Sequence, residues 1–286
     1  MTVYDHRRCE LGEGPLWHPL RGELFWFDIL EGRLLSRGPG GETSRDLGEM
    51  ASAAGWVDRD RLLVASETTL SVLDLGTGAR EVAAPLIEPG SGLRSNDGRA
   101  DPWGGFWIGT MGKQAEPGAG AILRYHRGAL RRLREGVTIP NAICFDRARA
   151  LAYFSDSRAK TVWRQRLDPD SGWPVAEAEV FLDLTGESFG PDGAVVDAEG
   201  RFWNAHWGAG RVACYEPSGR MAVEERFDAT RTSCPAFGGE AFDLLHVTSA
   251  QEGMSPEARE GEPHAGKTFV RKVAARGVAE PAVILG

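Results

Sequence analysis

Residues Val195–His206 read VVDAEGRFWNAH, which is an apolar stretch, an acidic turn with a glycine, and then an aromatic strand ending in a polar residue. Apolar and aromatic residues on both sides of such a turn predict a β-hairpin. The pattern occurs five more times, as PLWHPLRGELFWFD from Pro15, GWVDRDRLLVAS from Gly55, RADPWGGFWIGT from Arg99, ICFDRARALAYFSDS from Ile143 and AFGGEAFDLLHVTS from Ala236. The hairpin is therefore a repeat unit.

The spacing of these hairpins predicts the architecture. The first turn residues of the six copies are His18, Asp58, Asp101, Asp146, Asp197 and Gly238, which are 40, 43, 45, 51 and 41 residues apart. A further strand follows each hairpin and usually ends in a glycine-containing turn, as in TLSVLDLGTG and RVACYEPSG. Steps of this length are typical of four-stranded propeller blades. We predict an all-β protein in which residues 1–286 form one domain, a six-bladed β-propeller.

Two segments near the chain ends complete this prediction. The residues near Val3–Cys9 are expected to add a strand to the last blade and to close the ring, because an open sheet edge can pair with other chains. The polar region Ser255–Gly266 is expected to be a loop within that blade. We find no long segment with the periodicity of an amphipathic helix.

Composition and charge exclude several classes of function. The chain is 42% hydrophobic and 26% charged, as in an ordinary globular protein, and its net charge of −8 argues against nucleic acid or an anionic membrane surface as partner. No apolar stretch approaches the ~20 residues of a membrane helix. The N-terminal residues contain no apolar stretch typical of a secretory signal, so we expect none, and the four cysteines form no CxxC pair. We expect a cytoplasmic protein with reduced thiols, either a monomer or a weak oligomer.

The repeat phase also predicts a functional site. Five residues before the turn anchors lie Glu13, Ala53, Asn96, Asn141, Asp192 and Ser233, which superposed blades would bring to one level of the central channel. Four of the six carry amide or carboxylate oxygens, and such oxygens suit a divalent cation such as Ca²⁺, Mg²⁺ or Mn²⁺. A cation also removes the repulsion between neighbouring carboxylates. Each residue alone is explained as a turn residue at a strand start, but their common phase favours a central metal site.

Five ordered segments carry a family resemblance that extends from Leu11 to about Gly253. They are LGEGPLW, RSNDGRADPWGGFWIGTMG, IPNAICF, PDGAVVDAEGRFW and TSCPAFGG. Together they resemble the SMP-30/gluconolactonase/regucalcin family, and GTMGKQAEPGAGAI resembles its bacterial sugar-lactonase branch. The resemblance implies a six-bladed propeller with a single divalent metal.

The resemblance also implies roles for individual residues. The family's metal-ligand motifs match Glu13, Asn141 and Asp192, and its substrate-binding Arg-x-Asn motif matches Arg94 and Asn96. An acidic substrate-contacting residue of the animal members falls near Gln114 or Glu116, so both positions are candidates for substrate binding. The surrounding loop, Lys113–Gly120, is a candidate for gating the pocket.

The implied activity is hydrolysis of a small sugar lactone, an aldonolactone, to its aldonic acid. The metal would act as a Lewis acid, and Asp192 would serve as ligand and general base. Ca²⁺ is the expected ion, while Zn²⁺, Mn²⁺, Mg²⁺ and Fe²⁺ are alternatives. The alternative functions are a phosphotriesterase or non-sugar lactonase of the same fold, and a non-catalytic calcium-binding propeller. Ser188 lies in a G-x-S-x-G match, but Pro191 and Asp192 follow where a nucleophile elbow needs a helix.

Overall fold

The computed structural model describes residues 2–286, in which 24 strands form six four-stranded antiparallel sheets. Five sheets take their strands in chain order, and the N-terminal strand joins the sixth. The first strands of successive sheets contact one another in a closed circle, because the first strand of the sixth sheet also contacts that of the first. This is the six-bladed β-propeller that the repeat spacing predicts.

The first three blades follow one another along the chain. Blade 1 contains β2 (Gly12–His18), β3 (Glu23–Asp28), β4 (Arg33–Gly38) and β5 (Gly41–Asp46). Blade 2 contains β6 (Ala51–Trp56), β7 (Arg61–Ser66), β8 (Thr69–Asp74) and β9 (Arg80–Pro85). Blade 3 contains β10 (Leu93–Ala100), β11 (Phe106–Gly112), β12 (Gly120–His126) and β13 (Ala129–Val137).

The last three blades complete the circle. Blade 4 contains β14 (Pro140–Asp146), β15 (Leu151–Asp156), β16 (Thr161–Arg166) and β17 (Glu179–Asp183). Blade 5 contains β18 (Gly190–Val196), β19 (Phe202–Trp207), β20 (Arg211–Tyr215) and β21 (Met221–Arg226). Blade 6 contains β22 (Thr232–Gly238), β23 (Leu244–Ser249), β24 (Thr268–Lys272) and β1 (Thr2–Asp5).

The N-terminal strand closes the ring, as predicted. It forms the outermost strand of blade 6, where Thr2 pairs with Val270 and Val3 pairs with Phe269. The strand ends at Asp5, so it is shorter than the predicted segment, and the Tyr4 hydroxyl donates to the Arg37 carbonyl of blade 1 at 2.9 Å. The first and last strands of the chain are therefore neighbours in one sheet, and β1 covers an edge of β24 that would otherwise be unpaired.

The prediction of a loop over Ser255–Gly266 was wrong in part, because residues Pro256–Gly261 form a short helix, α1. The Ser255 side chain accepts a hydrogen bond from the Ala258 amide, and Pro256 occupies the first turn. Serine at the N-cap followed by proline is a helix-start signal that was present in the sequence. Within residues 2–286, no helix is long and apolar enough to span a membrane.

Hydrophobic cores lie between successive blades. One cluster joins Phe25 and Phe27 of blade 1 to Leu62 and Val64 of blade 2, and five similar clusters fill the other blade interfaces. Each blade therefore buries both faces, which explains why its strands are rich in aromatic and β-branched residues. All four cysteines are buried and free, and three of them, Cys9, Cys144 and Cys214, lie within these cores.

The aspartates that mark the repeats serve the hairpin turns. The Asp101 carboxylate accepts hydrogen bonds from the Trp103 and Gly105 amides at 2.9 and 3.0 Å. Asp197 does the same for the Glu199 and Arg201 amides, both at 2.9 Å. A short acidic side chain that bonds the backbone a few residues on is what this turn requires. Asp58 and Asp146 likewise accept the backbone amides of Asp60 and Arg149, so four of the six repeat turns are stabilised by an aspartate.

The innermost strand of every blade has an irregular register near its start. The pairing shifts between Glu13 and Leu16 in β2, and similar shifts occur near Ala53, Asn96, Asn141, Asp192 and Ser233. Such bulges leave a residue unpaired and re-aim its side chain. The positions that share the repeat phase are therefore also the positions where each blade departs from regular pairing.

The C-terminal tail crosses the opposite end of the channel. The Val283 amide donates to the Trp56 carbonyl and the Ile284 amide to the Gly104 carbonyl, at 2.8 and 2.9 Å. Glu280 enters the channel, where its carboxylate forms a buried ion pair with Arg99 of blade 3.

Arg99 connects this tail to the other half of the ring. Its guanidinium donates to the carbonyls of Ile143, Ala194 and Pro235 at 3.2, 3.0 and 3.4 Å. Those carbonyls belong to the innermost strands of blades 4, 5 and 6. One buried side chain therefore holds four blades and the tail at the channel axis.

Candidate functional site

A cavity of about 690 Å³ opens at the end of the channel where the six innermost strands begin. Its wall includes four of the six residues that share the repeat phase, Glu13, Asn96, Asn141 and Asp192. Arg94 and Gln114 also line the cavity, whereas Glu116 does not. A concave site of this volume, with a few convergent polar groups, is typical of small-molecule binding.

Glu13 and Asp192 are buried carboxylates at the base of this cavity, with 6% and 5% exposure. The two carboxyl groups lie close enough to interact directly. Burial, and then the negative charge of Asp97, raise the pKa of Glu13 to about 8. Burial, and then the charge of Glu13, raise the pKa of Asp192 well above its ordinary value. The fold therefore disfavours the charged forms of both carboxyl groups, because it leaves their negative charges poorly compensated.

Two amide side chains complete the polar base of the site. The Asn96 amide nitrogen donates to the Pro140 carbonyl at 2.9 Å and to the Asn141 Oδ1 at 3.1 Å. The Asn141 nitrogen donates to the Ser157 hydroxyl at 2.8 Å, and that hydroxyl donates to the Pro191 carbonyl at 2.6 Å. These bonds orient Asn141 with its nitrogen toward blade 5, while its oxygen retains a free lone pair.

Arg94 brings a buried positive charge to the cavity wall, where it is 6% exposed. Its Nη1 donates to the Ser95 carbonyl at 2.9 Å and to the Asn96 Oδ1 at 2.7 Å. Both Nη1 hydrogens are thereby used, which leaves Nε and Nη2 as donors for a bound molecule. Because Asn96 has both amide hydrogens engaged, it retains only an acceptor site.

The remaining two residues of the repeat phase do not enter the cavity. Ala53 is fully buried in the core between blades 2 and 3. The Ser233 hydroxyl donates to the Gly12 carbonyl at 2.5 Å and contacts the Thr248 hydroxyl at 2.8 Å. Ser233 therefore joins blade 6 to blade 1. The polar part of the ring is confined to blades 1, 3, 4 and 5.

The two candidates on the loop after β11 lie in different places. Gln114 is exposed and lines the cavity mouth. The Glu116 carboxylate is also exposed, but it folds back to accept the Gln114 amide at 3.1 Å and does not line the cavity. Of these two residues, Gln114 is therefore the one placed to contact a molecule in the cavity.

Several cavity residues were not predicted from the sequence. Glu252 contributes a carboxylate from blade 6, and Arg158, Lys160 and Lys113 contribute cations at the mouth. Phe189 and Trp207 supply apolar surface from blade 5. These residues lie in turns or at strand ends, away from the positions five residues before the turn anchors, and the residue type at their places differs between blades, so the spacing carried no signal for them.

The Glu252 backbone is held in place by blade 1. The Gln251 and Glu252 amides both donate to the Glu10 carbonyl, at 3.0 and 2.8 Å. Arg259 of α1 donates to the Glu10 carboxylate at 2.5 and 2.9 Å. The negative charge of Glu252 acts on the pKa of both Arg94 and Asp192, so its carboxylate belongs to the electrostatic environment of the site.

His206 does not line the cavity and is not accessible to solvent. It is fully buried, stacks on Phe189 with ring centroids 4.1 Å apart, and accepts a hydrogen bond from Arg211 at 3.0 Å. Burial, and then the charge of Arg211, lower its pKa to about 3. It therefore supports Phe189 as a neutral ring, in line with a structural role.

Gly14 fixes the close approach of blades 1 and 2 beside Glu13. Its φ is +55°, and its amide donates to the Glu13 Oε2 at 3.0 Å. A Cβ at this position would lie 2.2 Å from the Ser52 carbonyl oxygen of blade 2. Only glycine satisfies both the left-handed backbone and this contact.

We expect Gly14→Ala to lower the free energy of unfolding by about 2–5 kcal/mol, since strain at positive φ and overpacking add. Gly22→Ala is the matched control, because Gly22 has a φ of +61° but no atom within 4 Å of its Cβ position. It should cost only about 1–2 kcal/mol. Urea unfolding of both variants measures the difference. Equal losses would show that contact with Ser52 is unimportant.

A family model described as the SMP-30/Gluconolactonase/LRE-like region matches residues 11–251. The match includes Glu13, Arg94, Asn96, Asn141 and Asp192. The chain belongs to this family. The resemblance seen in the sequence is thereby confirmed.

Individual members of the SMP-30/gluconolactonase family are similar over nearly their whole length. L-arabinolactonase of Azospirillum brasilense is 36% identical over 286 residues, covering 97% of this chain and 93% of that protein. 6-deoxy-6-sulfogluconolactonase of Pseudomonas putida is 33% identical over 276 residues, covering 95% and 94%. The crystal structure of regucalcin from Agrobacterium tumefaciens, described as a calcium-binding protein, has a TM-score of 0.97 at 39% identity, covering 99% and 97%.

The donor set in this family member fits a hard divalent cation. Glu13 and Asp192 supply two buried carboxylates with raised pKa values, and Asn141 supplies an amide oxygen with a free lone pair. No group of three or more His, Cys, Asp or Glu side chains in residues 2–286 is arranged to hold a metal. A cation here would therefore take amide and water oxygens beside the carboxylates, which suits Ca²⁺, Mg²⁺ or Mn²⁺.

Proposed function

We propose that this protein is a metal-dependent hydrolase that opens small sugar lactones to their aldonic acids. The observation that carries the proposal is the pair of buried carboxylates, Glu13 and Asp192, at the base of a cavity that also presents the free donors of Arg94. Family relatives named as lactonases, at 33% and 36% identity over nearly the whole chain, support the same class of substrate.

One divalent cation, held by Glu13, Asn141 and Asp192, is part of the proposal. Ca²⁺ is the first choice because the ligands are oxygens, with Mg²⁺, Mn²⁺, Zn²⁺ and Fe²⁺ as the ions to compare. When bound, the cation supplies Lewis acidity for the ester group. It also compensates two carboxylates whose charged forms burial disfavours.

Asp192 is the proposed general base. The oxygen of its carboxylate that does not bind the cation would accept a proton from the attacking water. Arg94 would donate from Nε and Nη2 to substrate hydroxyls, and Asn96 would accept from one. These contacts hold the lactone ring at a fixed orientation to the base. Gln114 at the mouth is positioned for a further hydroxyl, while Glu116 would need the loop to rearrange.

The activity test compares several lactones and one phosphotriester. Metal-stripped protein is supplied with each divalent ion and assayed by pH indicator on gluconolactone, xylonolactone, arabinonolactone, galactonolactone and paraoxon. We expect metal-dependent turnover of at least one sugar lactone and its loss in Glu13→Ala. Cleavage of paraoxon alone would instead identify a phosphotriesterase. Metal binding without any turnover would support a non-catalytic calcium-binding propeller.

Metal uptake near neutral pH is expected to release protons. The pKa of Glu13 is about 8 without metal, so its carboxyl is protonated below that pH and must ionise to bind a cation. The apparent Ca²⁺ affinity should therefore rise with pH toward 8 and fall as pH drops below it. Calorimetry at pH 7 in two buffers with different heats of ionisation counts the protons. Identical heats in the two buffers would contradict this expectation, and Glu13→Gln should release fewer protons than the parent.

A further inference from the structure

One side of the cavity mouth is basic although the protein as a whole has a net charge of −8. Arg158 and Lys160 lie in the turn after β15, and Lys113 follows β11. All three line the same cavity as Glu13 and Asp192. A positive mouth on an acidic protein is an electrostatic feature of the site rather than of the whole surface.

The charges at this mouth are unequally compensated. Lys113 forms an ion pair with Glu67, and Lys160 donates to the Glu187 backbone carbonyl. The Arg158 guanidinium, which is exposed, has no hydrogen-bond or ion-pair partner among residues 2–286, since only its amide is bonded. Glu252 is the one carboxylate in the lining besides Glu13 and Asp192, against buried Arg94 and these cations. With Glu13 and Asp192 committed to a metal, the cavity has an excess of positive charge.

The turn that carries Arg158 is rigidly attached to the site. The Asp156 Oδ1 accepts the Arg158 amide at 3.0 Å, and its Oδ2 accepts the Thr138 amide at 2.8 Å. Ser157, the next residue, bonds both Asn141 and the backbone of blade 5. The guanidinium therefore emerges from a fixed point one residue from the contact that orients Asn141.

The cavity also has room beyond a simple sugar ring. Its volume of about 690 Å³ lies in the middle of the range that encloses drug-sized ligands. A lactone whose ring ester lies against the buried carboxylates leaves space toward the mouth. Arg158 and Lys160 line the same cavity and are among its basic residues.

We infer that the substrate is a sugar lactone that carries an anionic substituent away from its ring ester, and that Arg158 binds this substituent with support from Lys160. Phosphate, sulfonate and carboxylate groups share the required chemistry, because an arginine fork donates two parallel hydrogen bonds to such oxygens. This inference rests on the proposed lactonase function and adds the charge class of its substrate. Arg158 is thereby a specificity-determining residue.

The test compares lactones that differ in charge. Ca²⁺-loaded protein is assayed on 6-phosphoglucono-1,5-lactone, glucaro-1,4-lactone and glucono-1,5-lactone, which carry a phosphate, a carboxylate and no charge. We expect kcat/KM to be at least about tenfold higher for one of the anionic lactones than for the neutral one. R158Q should reduce that preference about tenfold, mainly through KM, and R158K should retain part of it. R220Q, an exposed arginine on the outer turn of blade 5, should leave the preference unchanged.

Ionic strength provides a second readout. The KM for the anionic lactone should rise with added salt in the parent protein and less steeply in R158Q, since screening weakens an exposed charge contact. Equal kcat/KM for charged and neutral lactones, unaffected by R158Q, would overturn the inference while leaving the lactonase function intact.

Binding separates the inference from catalysis. Calorimetry measures the Ca²⁺-loaded protein with 6-phosphogluconate and with gluconate, which need no turnover. Tighter binding of 6-phosphogluconate that is lost in R158Q would support the anion site even if no lactone were hydrolysed. Equal binding of both acids by parent and R158Q would contradict it.

Discussion

Replacing Asp192 by asparagine is expected to lower the rate of sugar-lactone hydrolysis by about a hundredfold to ten-thousandfold, the usual contribution of a positioned general base. Asparagine has the same shape but cannot take up a proton from water. The Asp192 backbone carbonyl still accepts the Asn204 side chain at 2.7 Å, so the local structure should persist. Steady-state kinetics with the preferred lactone measures the loss.

Although Asp192→Asn is expected to lower activity, it should not lower the stability of the metal-free protein. Burial, and then repulsion from Glu13, raise the pKa of Asp192, and a neutral amide avoids both costs. Metal-free Asp192→Asn should therefore unfold at a temperature equal to or above that of the metal-free parent. Asp74→Asn, in an exposed outer hairpin, is the control and should retain full activity. A purified Asp192→Asn protein that hydrolyses lactone at the parental rate would refute the assignment of Asp192 as base.

Replacing Arg99 by methionine is expected to lower the free energy of unfolding by about 3–5 kcal/mol, the usual cost of removing one partner from a buried ion pair. The substitution leaves the Glu280 carboxylate buried without its partner and three carbonyls of blades 4, 5 and 6 without their donor. Burial raises the pKa of Asp97 to about 6, and the positive charge of Arg99 partly offsets this effect. The substitution removes that charge as well. Urea unfolding monitored by tryptophan fluorescence measures the loss.

A double substitution tests the origin of this loss. Arg99→Met combined with Glu280→Leu removes both charges, so it should cost less than the two single losses added together. Arg220→Met, on an exposed turn, is the control and should change stability by less than about 0.5 kcal/mol. Strictly additive losses would mean that Arg99 and Glu280 stabilise the protein independently and that the ion pair does not hold the tail in the channel.

The sequence predicted most of the residues at the base of the cavity, because residues at the same position in the repeat also occupy equivalent positions in the blades. Glu13, Asn96, Asn141 and Asp192 occupy the same place in their blades, and a register shift near that place points each side chain toward the channel. The neighbouring small residues, such as Gly14, allow the shift. Ser233 shares the phase but does not line the cavity, because its hydroxyl donates to the Gly12 carbonyl of the next blade.

The cavity mouth could not be predicted in the same way. Arg158, Lys160 and Glu252 lie in the turns that follow β15 and β23. The residue type at the equivalent places differs from blade to blade, so no repeating chemical pattern marks them. The role of Arg158 depends on its lack of an ionic partner, and that of Lys113 on having one in Glu67, 46 residues away. The sequence contains all of these charged residues, but it does not reveal which of them form ion pairs in the folded protein.

By itself the sequence determined the number of blades, the hairpin turns and the residues at the base of the channel. These features follow from local chemistry repeated at a nearly constant interval: aspartates that bond their own turns, strands rich in apolar and aromatic residues, and small residues beside the bulges. Only the tertiary structure decided which residues surround the mouth and how the tail closes the other end. Arg99 and Glu280 are 181 residues apart, and their pairing depends on closure of the whole ring, which brings distant charges together without leaving a local pattern.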